Sequence, residues 1–343
     1  MKTVKLNFAG ISDYFDKENN TICYHLKRNG YKIEISDDPD YLVCDVWLNV
    51  PFEYCGKPQV RIMVSGENYI PDFNLIDYSI SPYPISFGDR HFHRPGCAFA
   101  GEHWLSLAKK NRNYSREFLA SKEYFANFIT SHESEFNIRG DFFKRLCEYK
   151  RVESVGTYLN NMPNGDTVNW LNSSKTEFQR KCKFTLCFES TLHHGFVTEK
   201  LTDAFFADTI PVYYGSSAAA DIFNPDAFIN VADYASFDEA IAKIIELDQD
   251  DEKYLHMLSQ PILLDPEYPE KLDAALEDFI CHIFEQPLDQ AYRRSRVYLP
   301  GQYDSFLSRA VDSDCLTMKN LLKRLGLKTL EKIGAAPARG DSR

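Results

Sequence analysis

Long apolar runs are missing from this 343-residue chain, and nothing in it approaches the roughly 18 uncharged apolar residues of a membrane-spanning helix. The opening residues, Met-Lys-Thr-Val-Lys-Leu-Asn-Phe-Ala-Gly, lack the apolar stretch and small-residue cleavage site of a secretory leader, so a cytoplasmic chain is expected. Glycine and proline number 16 each, too few for collagen-like or low-complexity structure. The nine cysteines, at 23, 44, 55, 97, 147, 182, 187, 281 and 315, are odd in number, scattered, and never spaced C-x-x-C. Zinc and dithiol redox chemistry are therefore disfavoured. Cys44 and Cys187 lie inside apolar runs, as free thiols packed as small hydrophobes in a reducing compartment would. Basic charge is in deficit too. A net charge of −11 runs against the counterion release that drives binding to a phosphate backbone, so no nucleic-acid partner is expected.

What the chain does have is core material: 44% hydrophobic and 14% aromatic residues against 26% charged, the balance of a globular protein. Its length exceeds the roughly 100 to 200 residues of one domain and points to two. Charge is unevenly spread. From Leu316 to Arg343, seven basic residues are set against Glu331 and Asp341, giving that tail +5 and the remaining 315 residues −16. Apolar Met318, Leu321, Leu322, Leu325 and Ile333 among those lysines make a basic amphipathic helix. Two placements suit it: peripheral contact with an anionic membrane, or packing against the body of the protein.

The pattern along the chain is α/β. Val4, Leu6 and Phe8 alternate with polar neighbours as in a strand, a helical segment follows over 17–28, and strands are expected at 31–35, 41–48, 59–64 and 75–80. The stretch 88–113, rich in His, Arg, Gly and Asn, reads as loop ahead of a helix near 114–121, and a domain boundary falls near residue 118. The rhythm then restarts, with strands at 124–129, 183–188, 209–214 and 228–231 and helices at 137–149, 197–207 and 237–247, before a mainly helical 250–284. Domains at 1–118 and 119–300, followed by a helical tail at 301–343, are the expected organisation.

One run concentrates the chemistry, from Lys183 through Phe188-Glu189-Ser190, Gly195-Phe196-Val197-Thr198-Glu199-Lys200 and Ile210-Pro211-Val212-Tyr213-Tyr214 to Gly215. It reads as buried strand, polar loop, first helical turn and second strand. Open α/β sheets bind ligands where strands give way to loops and helix N-termini, since unpaired N–H groups and the positive dipole end favour phosphate there. Lys200 adds a full charge for a diphosphate. Glu199 beside it would repel a bare anion and is better matched to sugar hydroxyls, so charge balance points to a ligand carrying both. The same Glu-Lys pair also fits ordinary helix capping and solvation.

Taken together, these motifs resemble the signature of the α-1,3/1,4-fucosyltransferases, the bacterial type in particular. The similarity extends upstream over Ser65-Gly66-Glu67-Asn68-Tyr69-Ile70-Pro71-Asp72 and downstream over 221–230, and covers about residues 3 to 285. The resemblance implies a GT-B fold, two Rossmann-like domains facing across a cleft, with the acceptor on the first and GDP-fucose on the second. It also implies an inverting single displacement onto O3, or alternatively O4, of N-acetylglucosamine in Lewis-type acceptors. By the same resemblance Glu67 matches the catalytic base, Arg139 the phosphate-binding arginine, Lys200 the second phosphate cation, and Glu199 the carboxylate on the donor sugar. Two positions depart from the family pattern, Ser190 where asparagine is usual and Phe196 where tyrosine is usual. Serine keeps a hydroxyl on a shorter reach, whereas phenylalanine cannot make a phenol's hydrogen bond. The heptad repeats of some bacterial members are absent.

Other chemistries leave traces as well. Asp38-Pro39-Asp40, Asp248-Gln249-Asp250 and Asp312-Ser313-Asp314 fit the D-x-D pattern that holds Mn²⁺ against a diphosphate, but three hits in an acidic chain read as chance, and a Lys and Arg clamp makes a metal unnecessary. No cofactor is expected beyond the co-substrate, with divalent ions at most non-specific stimulants. Adjacent His193 and His194 read as polar loop. His91, His93, Arg94 and Trp104 are candidates for contact with an acceptor sugar, with ordinary loop residues the leading alternative. Two rival readings are a transferase for another nucleotide sugar and a catalytically silent glycan-binding protein of the same fold.

Overall fold

A computed structural model of the chain describes residues 2–11, 15–46, 58–134, 137–168 and 173–294. The expected helical tail, 301–343, lies outside the described residues. In β1 (Lys2–Ala9) the alternation is realised directly, with Val4, Leu6 and Phe8 buried. Asn20 caps α1 (Thr21–Arg28) by accepting from the Cys23 N–H, and Lys27 and Arg28 occupy the last turn, where cations suit the dipole. Strands β2 (Tyr31–Ile35), β3 (Tyr41–Cys44), β4 (Val60–Val64), β5 (Tyr78–Ser81) and β6 (His91–His93) complete a sheet of order β2-β1-β3-β4-β5-β6. The β1–β2, β1–β3 and β3–β4 pairs are parallel. All four side chains of β3 are buried, as a strand covered on both faces requires.

Short helices α2 (Glu102–Leu107) and α3 (Arg116–Ala120) lead into the second sheet. There β7 (Tyr124–Phe128), α4 (Ile138–Tyr149), β8 (Val152–Ser154), α5 (Ser174–Arg180), β9 (Cys182–Phe188), α6 (Glu199–Phe206), β10 (Ile210–Tyr214) and β11 (Ile229–Asn230) follow in turn. The order is β11-β10-β9-β7-β8, every pair parallel. Helices α7 (Phe237–Gln249), α8 (Asp251–Leu258), α9 (Tyr268–Glu285) and α10 (Leu288–Ala291) close the described chain. Both sheets are wound alike: the second strand lies on one side of the first and later strands on the other. The direction in which strands are added therefore reverses between β1 and β3 and again between β7 and β9. The second sheet's core gathers Phe128, Phe142, Phe184, Ile210 and Ile244, all at most 1% exposed, and each large apolar side chain so buried contributes roughly 1.5–3 kcal/mol.

The sheets break between His93 and Tyr124, a span that includes residue 118, but packing divides the chain differently. One compact unit holds the described residues of Met1–Val64, Pro71–Ser79 and Ile280–Arg343; the other holds Ser65–Ile70 and Ile80–Phe279. The stretch expected to be loop, 88–113, carries β6, a 3-10 turn at Gly96–Ala100 and α2. It joins the second unit because Cys97, Trp104 and Leu107 share a core with Val197, Leu201, Phe205 and Phe223. The strand expected from Leu75 begins only at Tyr78, since the Leu75 and Ile76 N–H groups turn back to the Asp72 carbonyl. Strand β8 and helix α5 were not anticipated. No helix among the described residues is long and apolar enough to cross a membrane.

Candidate active site

A doubly wound parallel sheet leaves a crevice outside the carboxyl ends of the two strands at its reversal. In the second sheet those strands are β7 and β9. Beyond β7 the chain reaches Arg139 in the first turn of α4; beyond β9 it runs through Glu189 and Ser190 to Glu199 and Lys200 at the start of α6. Topology thus gathers four of the residues singled out from the sequence.

At the centre sits a carboxylate to which the sequence pattern assigns no role. The Glu189 side chain is 0% exposed and accepts from the Thr198 N–H at 2.8 Å, the Thr198 hydroxyl at 2.8 Å and the Lys200 ammonium at 3.1 Å. Thr198 is the N-cap of α6, yet its hydroxyl is spent on Glu189 and makes no cap bond of its own, while Glu189 holds the Thr198 N–H. Lys200 also donates to the Thr198 hydroxyl at 2.9 Å, lies 3.7 Å from a Glu199 oxygen, and keeps 22% of its side chain exposed. Burial alone would lower the Lys200 pKa, but Glu189 and Glu199 raise it above the usual lysine range, so it stays charged.

Arg139 is buried and deeply engaged. Its Nε and Nη2 donate to the Phe188 carbonyl at 3.1 and 2.7 Å, and Nη1 donates to the Thr130 hydroxyl at 3.0 Å and the His132 carbonyl at 2.9 Å. Those bonds engage four of the guanidinium's five N–H donors. The arginine expected on phosphate therefore grips the last residue of β9, one position before Glu189. Burial lowers its pKa despite the nearby Glu189 charge. Gly140 next to it accommodates Glu133 and Tyr158, which lie 2.6 Å from where a β-carbon would stand.

Ser190 is exposed and, with Ser134, Ile138, Glu189, Thr191, Leu192 and Tyr214, lines a small cleft of about 60 Å³. Phe196 is 5% exposed, an enclosed ring offering no polar atom at the position where the family usually has tyrosine. Two glycines make the loop possible. Gly195 has φ +82° and lies against the Pro84 ring, and a β-carbon on Gly215 would stand 2.7 Å from the Glu189 Cγ.

Glu199 faces a larger cleft of about 380 Å³, lined also by Phe99, Ala100, Gly101, His103, Lys175, Thr176 and Asp203. Its carboxyl is held below the usual range: burial would raise it, and Lys200 and Lys175 outweigh that. Glu67 is exposed on the loop after β4, where its N–H donates to the Ser65 hydroxyl at 3.2 Å and its carbonyl accepts from the Tyr69 N–H at 2.9 Å. Two contacts set that loop beside the others. Asn68 Nδ2 donates to the Thr191 hydroxyl at 3.4 Å, and Gly66 packs on the Phe99 ring, 3.7 Å from where its β-carbon would be.

Trp104 is 2% exposed and packs edge-on against Phe223 and Tyr268, so it belongs to the core and not to a sugar surface. His91 bonds the Tyr83 carbonyl at 3.0 Å, and burial lowers the pKa of both His91 and His93. His193 is held by the His194 carbonyl and the Tyr83 ring. Cys44 and Cys187 are buried free thiols, and burial pushes the Cys44 thiol up to about 12. Asp312 and Asp314 lie outside the described residues.

Two solved structures share this architecture. The chain aligns with an α1,3-fucosyltransferase crystal structure at a TM-score of 0.66 and 24% identity, over 87% of this chain and 93% of that one. An α1,3-fucosyltransferase solved with GDP-fucose gives 0.61 and 25%, over 82% and 91%. The fold class is α/β of the GT-B kind. Residues 119–287 match the family model for glycosyltransferase family 10 (fucosyltransferase), C-term, and residues 6–99 match that for the alpha-(1,3)-fucosyltransferase FucT N-terminal domain. The chain belongs to glycosyltransferase family 10. It is 31% identical over 273 residues to alpha-(1,3)-fucosyltransferase FucT of Helicobacter pylori, covering 70% of this chain and 55% of that one. To human 4-galactosyl-N-acetylglucosaminide 3-alpha-L-fucosyltransferase 9 it is 31% identical over 137 residues, 39% of this chain and 36% of that one. The chain thus spans about half or less of the length of these curated relatives.

Proposed function

We propose that the protein transfers L-fucose from GDP-fucose to O3, or alternatively O4, of N-acetylglucosamine in N-acetyllactosamine and Lewis-type acceptors, by a single inverting displacement. The observation that carries this reading is the clasp of Glu189, Thr198 and Lys200 at the N-terminus of α6, with Glu199 directly beside it. A permanent cation next to a cleft-facing carboxylate matches a ligand that is anionic at one end and hydroxylated at the other.

In the proposed step the Glu67 carboxylate takes the proton of the acceptor hydroxyl as that oxygen bonds to the fucose anomeric carbon. The bond from that carbon to the phosphate oxygen breaks, and GDP leaves with the electron pair. Its developing charge meets the Lys200 ammonium and the first N–H groups of α6, which are already oriented and need no reorganisation. Glu199 accepts hydroxyls of the fucosyl unit. Arg139 acts chiefly by fixing the Phe188 carbonyl, and with it Glu189, leaving one N–H for a phosphate oxygen. Ser190 flanks the donor with a shorter polar reach than the family's usual asparagine, and the enclosed Phe196 ring offers it no polar contact.

No metal or cofactor enters this scheme, and Mn²⁺ or Mg²⁺ would act only as non-specific stimulants. The basic tail is proposed as a peripheral contact with the anionic inner face of the membrane, for an enzyme working in the cytoplasm. The test is linkage analysis of the product formed from GDP-fucose and N-acetyllactosamine, with other nucleotide sugars in parallel. Glu67→Ala is expected to lower turnover by roughly 10²–10⁴ with GDP affinity unchanged. Near-wild-type turnover in that variant, or a different preferred sugar donor, overturns the reading.

A further inference from the structure

We propose that the 380 Å³ cleft beside Glu199 is a sugar subsite, built to take the hydroxyls and an apolar face of an uncharged pyranose ring. The inference rests on the transferase reading for its substrates but on separate residues for its chemistry. Glu199, Asp203 and Phe206 lie at i, i+4 and i+7 of α6 and so share one face. From α2, His103 stacks on Phe206 with ring centroids 3.8 Å apart and bonds an Asp203 oxygen through Nδ1 at 2.9 Å. From α5, Lys175 donates to the other Asp203 oxygen at 2.6 Å. One buried carboxylate therefore fixes an imidazole and an ammonium in the lining of the cleft.

Those two groups are the ones a ligand would reach, since the His103 and Lys175 side chains keep 32% and 16% exposure against 9% for Asp203. Burial alone would raise the Asp203 carboxyl, but the bonds from His103 and Lys175 hold it low, so the scaffold stays ionised at neutral pH. Charge selects the ligand class. Lys175 is offset by Asp203, and Glu199 leaves the lining net negative, which opposes a phosphate and suits donors and acceptors spread around a neutral polyol. Phe99 supplies an apolar wall, and the volume falls within the range of small-molecule pockets. Position agrees as well: Glu199 is in the lining, and Phe99 packs on Gly66, the neighbour of Glu67.

The sugar can be the acceptor's or the fucosyl unit of the donor, and full-length His103→Ala and Lys175→Gln separate the two. Loss of one such hydrogen bond is expected to raise a Michaelis constant roughly tenfold. A rise for N-acetyllactosamine assigns the subsite to the acceptor; a rise for GDP-fucose in acceptor-free hydrolysis assigns it to the donor sugar. Either supports the proposal, provided that GDP affinity by calorimetry stays within about twofold and the melting temperature is kept. A parallel loss of GDP affinity, or no change in either constant, overturns it. Saturation-transfer NMR with L-fucose and N-acetyllactosamine gives a readout independent of turnover: signal in the wild type that both variants lose supports the subsite, and equal signal overturns it. Sugar binding without any fucosyl transfer would sink the transferase reading and leave the subsite standing.

Discussion

Two carboxylates, one in each unit, are buried against a cation and backbone N–H, and only one of them lies in the candidate site. In the first unit Asp77 accepts from the N–H groups of Arg61, Arg293 and Arg294 and from the Arg294 guanidinium, and both side chains of that ion pair are 0% exposed. Arg294 also donates to the Gln59 carbonyl at 2.8 Å. In the second unit Glu189 is as deeply buried, but its cation, Lys200, keeps a face to solvent. A closed pair ties distant parts of the chain together and has no charge to offer. An open pair presents a cation to solvent, its position set by a buried carboxylate.

The largest effect should come from breaking the closed pair. Asp77→Ala strands a buried guanidinium, and removing one partner of such a pair costs roughly 3–5 kcal/mol, to be read by urea denaturation. The folded fraction should bind GDP as the wild type does. A loss below about 1 kcal/mol, or weakened GDP binding in the folded protein, would collapse the distinction between the pairs. The open pair should respond in the opposite currency. Lys200→Ala is expected to weaken GDP binding by about 1.5–3 kcal/mol in calorimetry, the range for hydrogen bonds to charged groups. Glu189→Gln should move affinity the other way, several-fold tighter, because a buried negative charge no longer opposes the diphosphate. If both substitutions weaken GDP binding, Glu189 is a folding element and not a counterweight.

Local chemistry was legible in the sequence; partnerships across the chain were not. Alternation in β1 and the capped α1 follow from neighbours a few residues apart. The run from Phe188 to Lys200 stood out by residue type and order, whereas Glu67, on a turn after a strand, was singled out only by the family resemblance. Glu189 escaped because a charge ending an apolar run looks like a solvated strand end. Its burial depends on Thr198 and Lys200 returning to it, 9 and 11 positions on. Arg139 looked like a free phosphate ligand because its partners, Phe188 above all, lie as many as 49 positions away. The His103–Asp203 contact spans 100 positions, and no spacing rule reaches it. Trp104 was misjudged through its polar neighbours, since the helix that turns it into the core is only six residues long.

A third carboxylate sharpens the comparison through a motif that imitates a metal site. Asp248, at the end of α7, is 3% exposed, bonded to Lys150, to Lys183 at 2.7 Å and to the Tyr149 hydroxyl at 2.9 Å, while Asp250 caps α8 by accepting the Glu252 and Lys253 N–H groups at 3.1 Å. The Asp-Gln-Asp pattern is spent on packing, with its oxygens already committed. Burial would raise the Asp248 carboxyl, but Lys150 and Lys183 hold it below the ordinary range. A carboxyl whose folded pKa lies below its unfolded one stabilises the protein above the unfolded value, near 3.9, and loses that contribution as pH falls through the folded value. Asp248→Asn should therefore cost about 1 kcal/mol at neutral pH, and its gap to the wild type should narrow in thermal melts as acid is added below about pH 4. Any response of transfer activity to Mn²⁺ should survive the substitution unchanged. A gap that widens in acid would mean that the lysines do not hold the carboxylate ionised, and a Mn²⁺ response lost with Asp248 would return the motif to metal binding.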